Sequence, residues 1–216
     1  TGLDALSHAM ESVWNRRYTE LTDALAERAI RMHQHLVDRD DLNEDQRLQA
    51  LAELGQDYLK AGLLDRAEAV FLRLRNTALN DIALRDLLEI YQQEKDWPKA
   101  IEIARALPDH ESVWWRKEMA NFHCEMASDA LADSRLDDAE AAIQAALQVN
   151  PRSVRGSLIK GDLCARRGEL DEAIAAWKRI EGQDPHYLSL AAERLMKAYD
   201  AQGRIEDGLQ LLRAYL

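Results

Sequence analysis

The chain has 216 residues with 47% apolar content, enough to bury a sizeable core as one large domain or two small ones. Its 28 basic against 39 acidic side chains leave a net charge of −11, which argues for solubility and against nucleic acid or an anionic membrane surface as a direct partner. Only two cysteines occur, Cys124 and Cys164, without the C-x-x-C spacing of a zinc site or redox dithiol, and they fit a reducing compartment. No apolar run approaches the roughly 18–20 residues of a membrane span, and no signal peptide opens the sequence. A start at Thr1 rather than Met fits a processed product or an excised fragment.

Leu, Ala, Glu, Gln and Arg are plentiful, Val and Thr are scarce, and apolar residues recur at three- and four-residue steps almost throughout, which predicts an all-α chain. Residues 1–40 predict an irregular first hairpin. Within them "AERAIRMHQHL" has the pattern of a second helix, but "NRRYTELTDALAERA" carries no Gly or Pro, so a nonstandard turn near Thr22–Asp23 is expected. In "LGQDYLKAGLLDRAEAVF" the pattern clears. Leu51, Leu54, Tyr58 and Leu59 form one stripe, "KAGLLD" interrupts it, and Ala67, Val70, Phe71 and Leu74 form a second. That is a helical hairpin.

The hairpin returns along the chain. Ala67 has counterparts in Ala100, Ala139, Ala173 and Gly208, at steps of 33, 39, 34 and 35 residues. These place hairpins at about 44–76, 80–108, 112–150, 153–184 and 187–216. Asp65, Asp137, Asp171 and Glu206 each stand two positions earlier, where a carboxylate can accept from free N–H groups and meet the positive helix end; Pro98 takes that place in the remaining copy. Gly62, Gly168 and Gly203 share one turn position, held by Lys95 and Ser134 in the other copies. Pro108, Pro151 and Pro185 follow three second helices and stop them. The 39-residue step contains "PDHESVWWRKEM", which predicts an unusually long first helix in the third hairpin.

A period near 34 with this spacing of small residues resembles the tetratricopeptide repeat. Gly55, Tyr58, Gly62, Ala67 and Phe71 match its signature places in order, as do Leu88, Tyr91, Ala100 and Ala104, and then Gly161, Cys164, Gly168, Ala173, Trp177 and Pro185. The expected fold is an all-α tetratricopeptide-repeat solenoid of antiparallel helical hairpins, a single array over 1–216. Gly55 and Ala67 are expected to lack bulk where paired helices approach, with Tyr58 and Phe71 filling space between neighbouring hairpins. First helices of such arrays line a concave face where partners bind. Side chains expected there are Gln56, Lys60, Arg85, Glu89, Asn121, Arg155, Asp162 and Lys197. Open-ended arrays also expose a terminal hairpin, which allows self-association.

Catalytic or metal chemistry finds little support. His33 and His35, two positions apart, point about 200° away from each other on a helix, and "HESVW" lacks the second His of a zinc-protease helix. There is no phosphate loop and no nucleophile elbow. Abundant carboxylates fit a solvated surface with i,i+4 ion pairs. Cys164, in the place of Tyr58, fits a buried structural thiol. Of the adjacent Trp114 and Trp115, at least one belongs in the core, leaving the other as a candidate partner-facing anchor. No catalytic, metal or cofactor residue is assigned; a hydrolase or redox protein using His123, Cys124 or Cys164 is the opposing alternative.

Longer words carry a closer resemblance. "RAIRMHQHL", "EDQRLQALAELGQDYLKAGLLDRAEAVF", "LLEIYQQEKDWPKAIEIA" and "FHCEMA" resemble the bacterial lipopolysaccharide assembly protein B family, in order and spacing, from about Arg28 onward. That resemblance implies a cytoplasmic repeat array between an N-terminal inner-membrane anchor and a C-terminal rubredoxin-like metal knuckle, neither present in this sequence. It implies a non-enzymatic adaptor that tunes lipopolysaccharide synthesis by presenting the lipid A pathway deacetylase to a membrane-bound ATP-dependent protease of the AAA+ class. The knuckle's two C-x-x-C pairs match no position here, so no metal site carries over. The stretch before Ala29 departs from the family, which ordinarily has a Gly-containing turn there. A generic tetratricopeptide scaffold of another pathway is the alternative. The Lys and Asn set of chaperone carboxylate clamps is replaced here by Gln56, Lys60, Arg85 and Glu89.

Overall fold

The computed structural model describes residues 24, 27–39 and 41–214, and all its regular elements among them are helices. The expected turn near Thr22–Asp23 lies outside the described residues. Two compact units divide the chain, Thr1–Leu107 and Pro108–Leu216.

In the first unit, α1 covers 27–37, followed by α2 (Glu44–Lys60), α3 (Leu64–Leu74), α4 (Asn80–Gln93) and α5 (Trp97–Ala106). Helix α2 starts on a capping box: the Asn43 side chain accepts from the Gln46 N–H at 2.9 Å, and the Asn43 N–H donates to the Gln46 side chain at 3.1 Å. Helices α2 and α3 form one antiparallel hairpin, α4 and α5 the next.

The second unit holds three hairpins: α6 (Val113–Ala132) with α7 (Leu136–Val149), α8 (Val154–Arg167) with α9 (Leu170–Gln183), and α10 (Leu188–Ala201) with α11 (Ile205–Ala214). A 3₁₀ turn, Pro185–Tyr187, leads into α10. Helix α6 spans 20 residues and is the longest among the described residues, as the enlarged repeat step predicts.

All five hairpin turns close the same way. The residue after the turn donates its N–H to a carbonyl five positions back: Leu63 to Tyr58 at 2.9 Å, Asp96 to Tyr91 at 2.9 Å, Arg135 to Ala130 at 2.8 Å, Glu169 to Cys164 at 2.9 Å and Arg204 to Tyr199 at 2.8 Å. This closure needs a left-handed residue at the turn. Gly62, Gly168 and Gly203 supply it at φ of +71°, +80° and +69°, and Lys95 and Ser134 adopt it too, at +57° and +60°.

The repeat alanines sit where the hairpins close. Ala67, Ala100, Ala139 and Ala173 are all 0% exposed, and Gly208 is buried at the fifth position. A second register position trades bulk across the first four of these hairpins. Gly55 faces Phe71 and Gly161 faces Trp177, and the corresponding buried pairs are Leu88 with Ala104 and Ala127 with Ile143. Where the first helix offers Gly, the second brings an aromatic ring; where it offers Leu, the second brings Ala. These four hairpins thus fill a similar volume with different residues, as close packing demands, whereas the α10–α11 hairpin has Met196 and Leu212 there, both half-buried.

One expectation is refined and another needs correction. Phe71 packs against Gly55 inside its own hairpin, where a Cβ on that glycine would lie 2.7 Å from the ring. Tyr58 does reach outward, accepting from Gln34 on α1 at 2.5 Å, and Tyr91 likewise donates to Glu68 on α3 at 2.6 Å. The first-turn carboxylates of Asp65, Asp137 and Asp171 accept no backbone N–H, and the residues at the caps before them, Leu63, Arg135 and Glu169, make no side-chain cap either. Their contribution is electrostatic, through the helix end. Only α5 among these second helices has a side-chain cap, from Asp96 to the Lys99 N–H at 3.2 Å.

Candidate partner-binding face

In the first unit the expected face falls on α2 and α4. Gln56 is half-buried and hydrogen-bonds Asp86, a carboxyl only 9% exposed on α4; burial pushes the Asp86 pKa up, the Gln56 bond opposes this, and nearby Glu89 adds to it. Lys60 and Arg85 are exposed, and exposed Glu89 accepts from Gln93 at 3.2 Å.

In the second unit the expected residues lie on α6, α8 and α10, and several are tied together across them. Arg155 on α8 donates to Glu125 on α6 at 2.6 Å. Asp162, lower on α8, takes a two-pronged bond from Arg194 on α10, at 2.7 Å and 3.2 Å. Lys197 pairs with Glu193 one turn back at 2.6 Å. Arg155 and Asp162 therefore act as rungs between successive first helices. Such half-exposed pairs contribute at most about 1 kcal/mol each and chiefly fix side-chain direction.

Two open clefts lie beside the rungs. One, of about 460 Å³, is lined by Asn121 and Arg155 together with Lys117, Arg152, Leu158, Tyr187 and Leu190. The other, of about 370 Å³, brings Asp162 and Lys197 together with Arg166, Arg194 and Trp177. Glu125, Arg194, Lys117, Arg152 and Tyr187 were missed by sequence reasoning. A signal existed for the ion pairs, since Glu125 and Arg155 are 30 residues apart and Asp162 and Arg194 are 32, both close to one repeat. Trp115 is core at 3% exposure, while Trp114 stands 59% exposed at the start of α6, its ring edge-on to Trp115 with centroids 4.4 Å apart.

Neither thiol of the alternative chemistry is placed to react. Cys124 and Cys164 are free and buried, and burial raises both thiol pKa values, which suppresses the reactive thiolate. His33 is engaged by two carboxylates of α2, Asp57 at 2.7 Å and Glu53 at 2.9 Å, one on each ring nitrogen. It fastens α1 to α2. Among the described residues no helix is long and apolar enough to cross a membrane.

Comparison with known proteins agrees with this architecture. A family model described as tetratricopeptide repeat matches residues 124–187, which run from the middle of α6 through α9 to the turn before α10. A model of the Fe-containing alcohol dehydrogenase family, C-terminal, matches residues 1–51; of these, 44–51 belong to α2 and its helical hairpin. Among solved structures, MamA superposes with a TM-score of 0.50 at 19% identity, covering 78% of this chain and 90% of that one, a likeness of fold. Lipopolysaccharide assembly protein B of Escherichia coli strain K12 is 35% identical over 188 residues, 87% of this chain and 48% of that protein. The Haemophilus influenzae protein of the same name is 30% identical over 190 residues, with the same coverage.

The chain is accordingly an all-α tetratricopeptide-repeat protein, of a class that binds other proteins rather than catalysing reactions. Over 87% of its length it is similar to proteins named lipopolysaccharide assembly protein B, at 30–35% identity. The chain spans about half the length, 48%, of the curated relatives it matches.

Proposed function

We propose that the chain is the partner-binding repeat portion of an adaptor in lipopolysaccharide assembly, holding protein partners against the first-helix faces of its hairpins. The observation that carries this reading is the 35% identity over 188 residues to a protein named for that assembly. The clefts on α6, α8 and α10 support it, because they offer recesses of side-chain size on a surface fixed by ion pairs. In this reading Gln56, Lys60, Arg85, Glu89, Asn121, Arg155, Asp162 and Lys197 lie on or beside the contact face, and no cofactor takes part.

The finer form of the proposal has the adaptor present the lipid A pathway deacetylase to a membrane-bound ATP-dependent protease, on the cytoplasmic face of the inner membrane and within an anchored protein. Its test is retention of each purified enzyme on immobilised full-length protein, alongside this segment. The full-length protein is expected to retain both, and the segment at least one. Retention of neither by the full-length protein contradicts the proposal.

A further inference from the structure

We propose that the larger cleft of the second unit, between α6, α8 and the turn into α10, takes an acidic peptide segment of a protein partner that carries an apolar side chain. This rests on the adaptor reading above and names the chemistry of one of its ligands. The starting observation is a reversal of charge. The chain carries a net −11, yet this cleft is lined by three cations, Lys117, Arg152 and Arg155, and by no carboxylate.

Two of the three cations remain uncompensated. Arg155 is engaged by Glu125 at 2.6 Å. Arg152 instead donates to the Gly182 and Gln183 carbonyls at 3.2 Å and 3.0 Å, which fixes its guanidinium without neutralising it. Lys117 is exposed on α6 and forms no ion pair among the described residues. Fixed and free positive charge together, at a concave site on a negative chain, favour carboxylates and speed their approach.

The same cleft has an apolar part. Tyr187 and Leu190 stand 48% and 47% exposed, and Leu158 is half-buried beside them. Exposed large apolar side chains next to uncompensated cations suit a ligand with both characters. At about 460 Å³ the recess holds the side chains of a short segment.

The test uses the full chain and a fluorescein-labelled eight-residue peptide, a Leu-Phe pair flanked on each side by three carboxylate residues, read by anisotropy. The comparison peptide replaces every carboxylate by its amide. The protein variants are Lys117→Glu and Leu190→Asp, each checked for an unchanged melting curve, with Arg73→Glu, at an exposed position on α3 of the first unit, as control. The acidic peptide is expected to bind at least tenfold more tightly than its amide form, to weaken about tenfold in Lys117→Glu and Leu190→Asp, to be unaffected by Arg73→Glu, and to lose affinity with added salt. Equal binding of the two peptides, indifference to Lys117→Glu, or preferential binding of phosphatidylglycerol vesicles overturns the assignment. Deacetylase or protease retention that persists while the peptide result fails removes this inference and leaves the adaptor reading standing. Loss of retention alongside the expected peptide result does the reverse.

Discussion

A Cβ on Gly161 would lie 2.2 Å from Nε1 of Trp177, the indole nitrogen that donates to the Leu158 carbonyl at 3.2 Å. One missing methyl therefore seats the largest side chain of the α8–α9 hairpin and its hydrogen bond. Gly161→Ala must displace the ring, and is expected to cost about 2–4 kcal/mol from overpacking plus the lost bond. Gly182, exposed near the end of α9, has open space where a Cβ would go. Gly182→Ala should stabilise by about 0.5–1 kcal/mol through helix propensity. Urea denaturation of the two variants reads this opposition directly.

The turn closure predicts a second pair of opposite effects. Ser134 holds φ +60° in the turn between α6 and α7, where Gly168 and Gly203 serve in later copies. A side chain there costs about 1–2 kcal/mol, partly offset by glycine's greater unfolded-state entropy of about 0.5–1 kcal/mol. Ser134→Gly is thus expected to stabilise by about 0.5–1 kcal/mol, and Gly168→Ala to destabilise by about 1 kcal/mol. Thermal melts with both variants check the sign.

Asp86 gives a prediction in pH. A carboxyl whose folded pKa stands above its unfolded value binds its proton more tightly in the folded state. Its contribution is then present below the unfolded value and is lost as pH rises through the folded one. Burial raises Asp86 in this way, against the opposing bond from Gln56. Asp86→Asn keeps an acceptor for Gln56 without the buried charge, so it should raise Tm at pH 7. The advantage should shrink as pH falls through about 4, the ordinary Asp range, below which the wild-type carboxyl is protonated in both states. Melting curves across that range test it; an advantage independent of pH contradicts the burial account.

The repeat alanines predict equal sensitivity at distant places. Ala67 and Ala139 are both 0% exposed at the same register position, 72 residues apart. Substituting Leu at either should overpack its hairpin and cost about 1–3 kcal/mol. A melting temperature unmoved by Ala67→Leu would count against a shared architecture.

Helix order and the turn positions were legible in the sequence because both depend on local chemistry that repeats. Lys95 and Ser134 take left-handed backbone conformations although neither is Gly, and only alignment with Gly62 marks them. The exchange of bulk between Leu88 and Ala104 escapes a search for identical residues, since the conserved quantity is a sum of two volumes. The cleft was harder still. Gln56, Arg155, Asp162 and Lys197 were placed on first helices from the repeat frame, but the periodicity of one helix does not say which neighbour a charge meets. Arg155 and Asp162 met Glu125 and Arg194 and became rungs. Lys117 and Arg152 were left to give the recess its sign, and Arg152 does so from a loop whose direction depends on the carbonyls it meets.

Site-specific photo-crosslinking in cells tests the central claim, capture of protein partners on first-helix faces, most directly. A photoreactive residue is placed at Asn121 or Lys197 on that face, and at exposed Gln144 on α7 as the opposing control. The account predicts adducts with the lipid A deacetylase or the membrane protease from Asn121 and Lys197 and none from Gln144. Adducts from Gln144 alone, or none with either enzyme from Asn121 and Lys197, would contradict it.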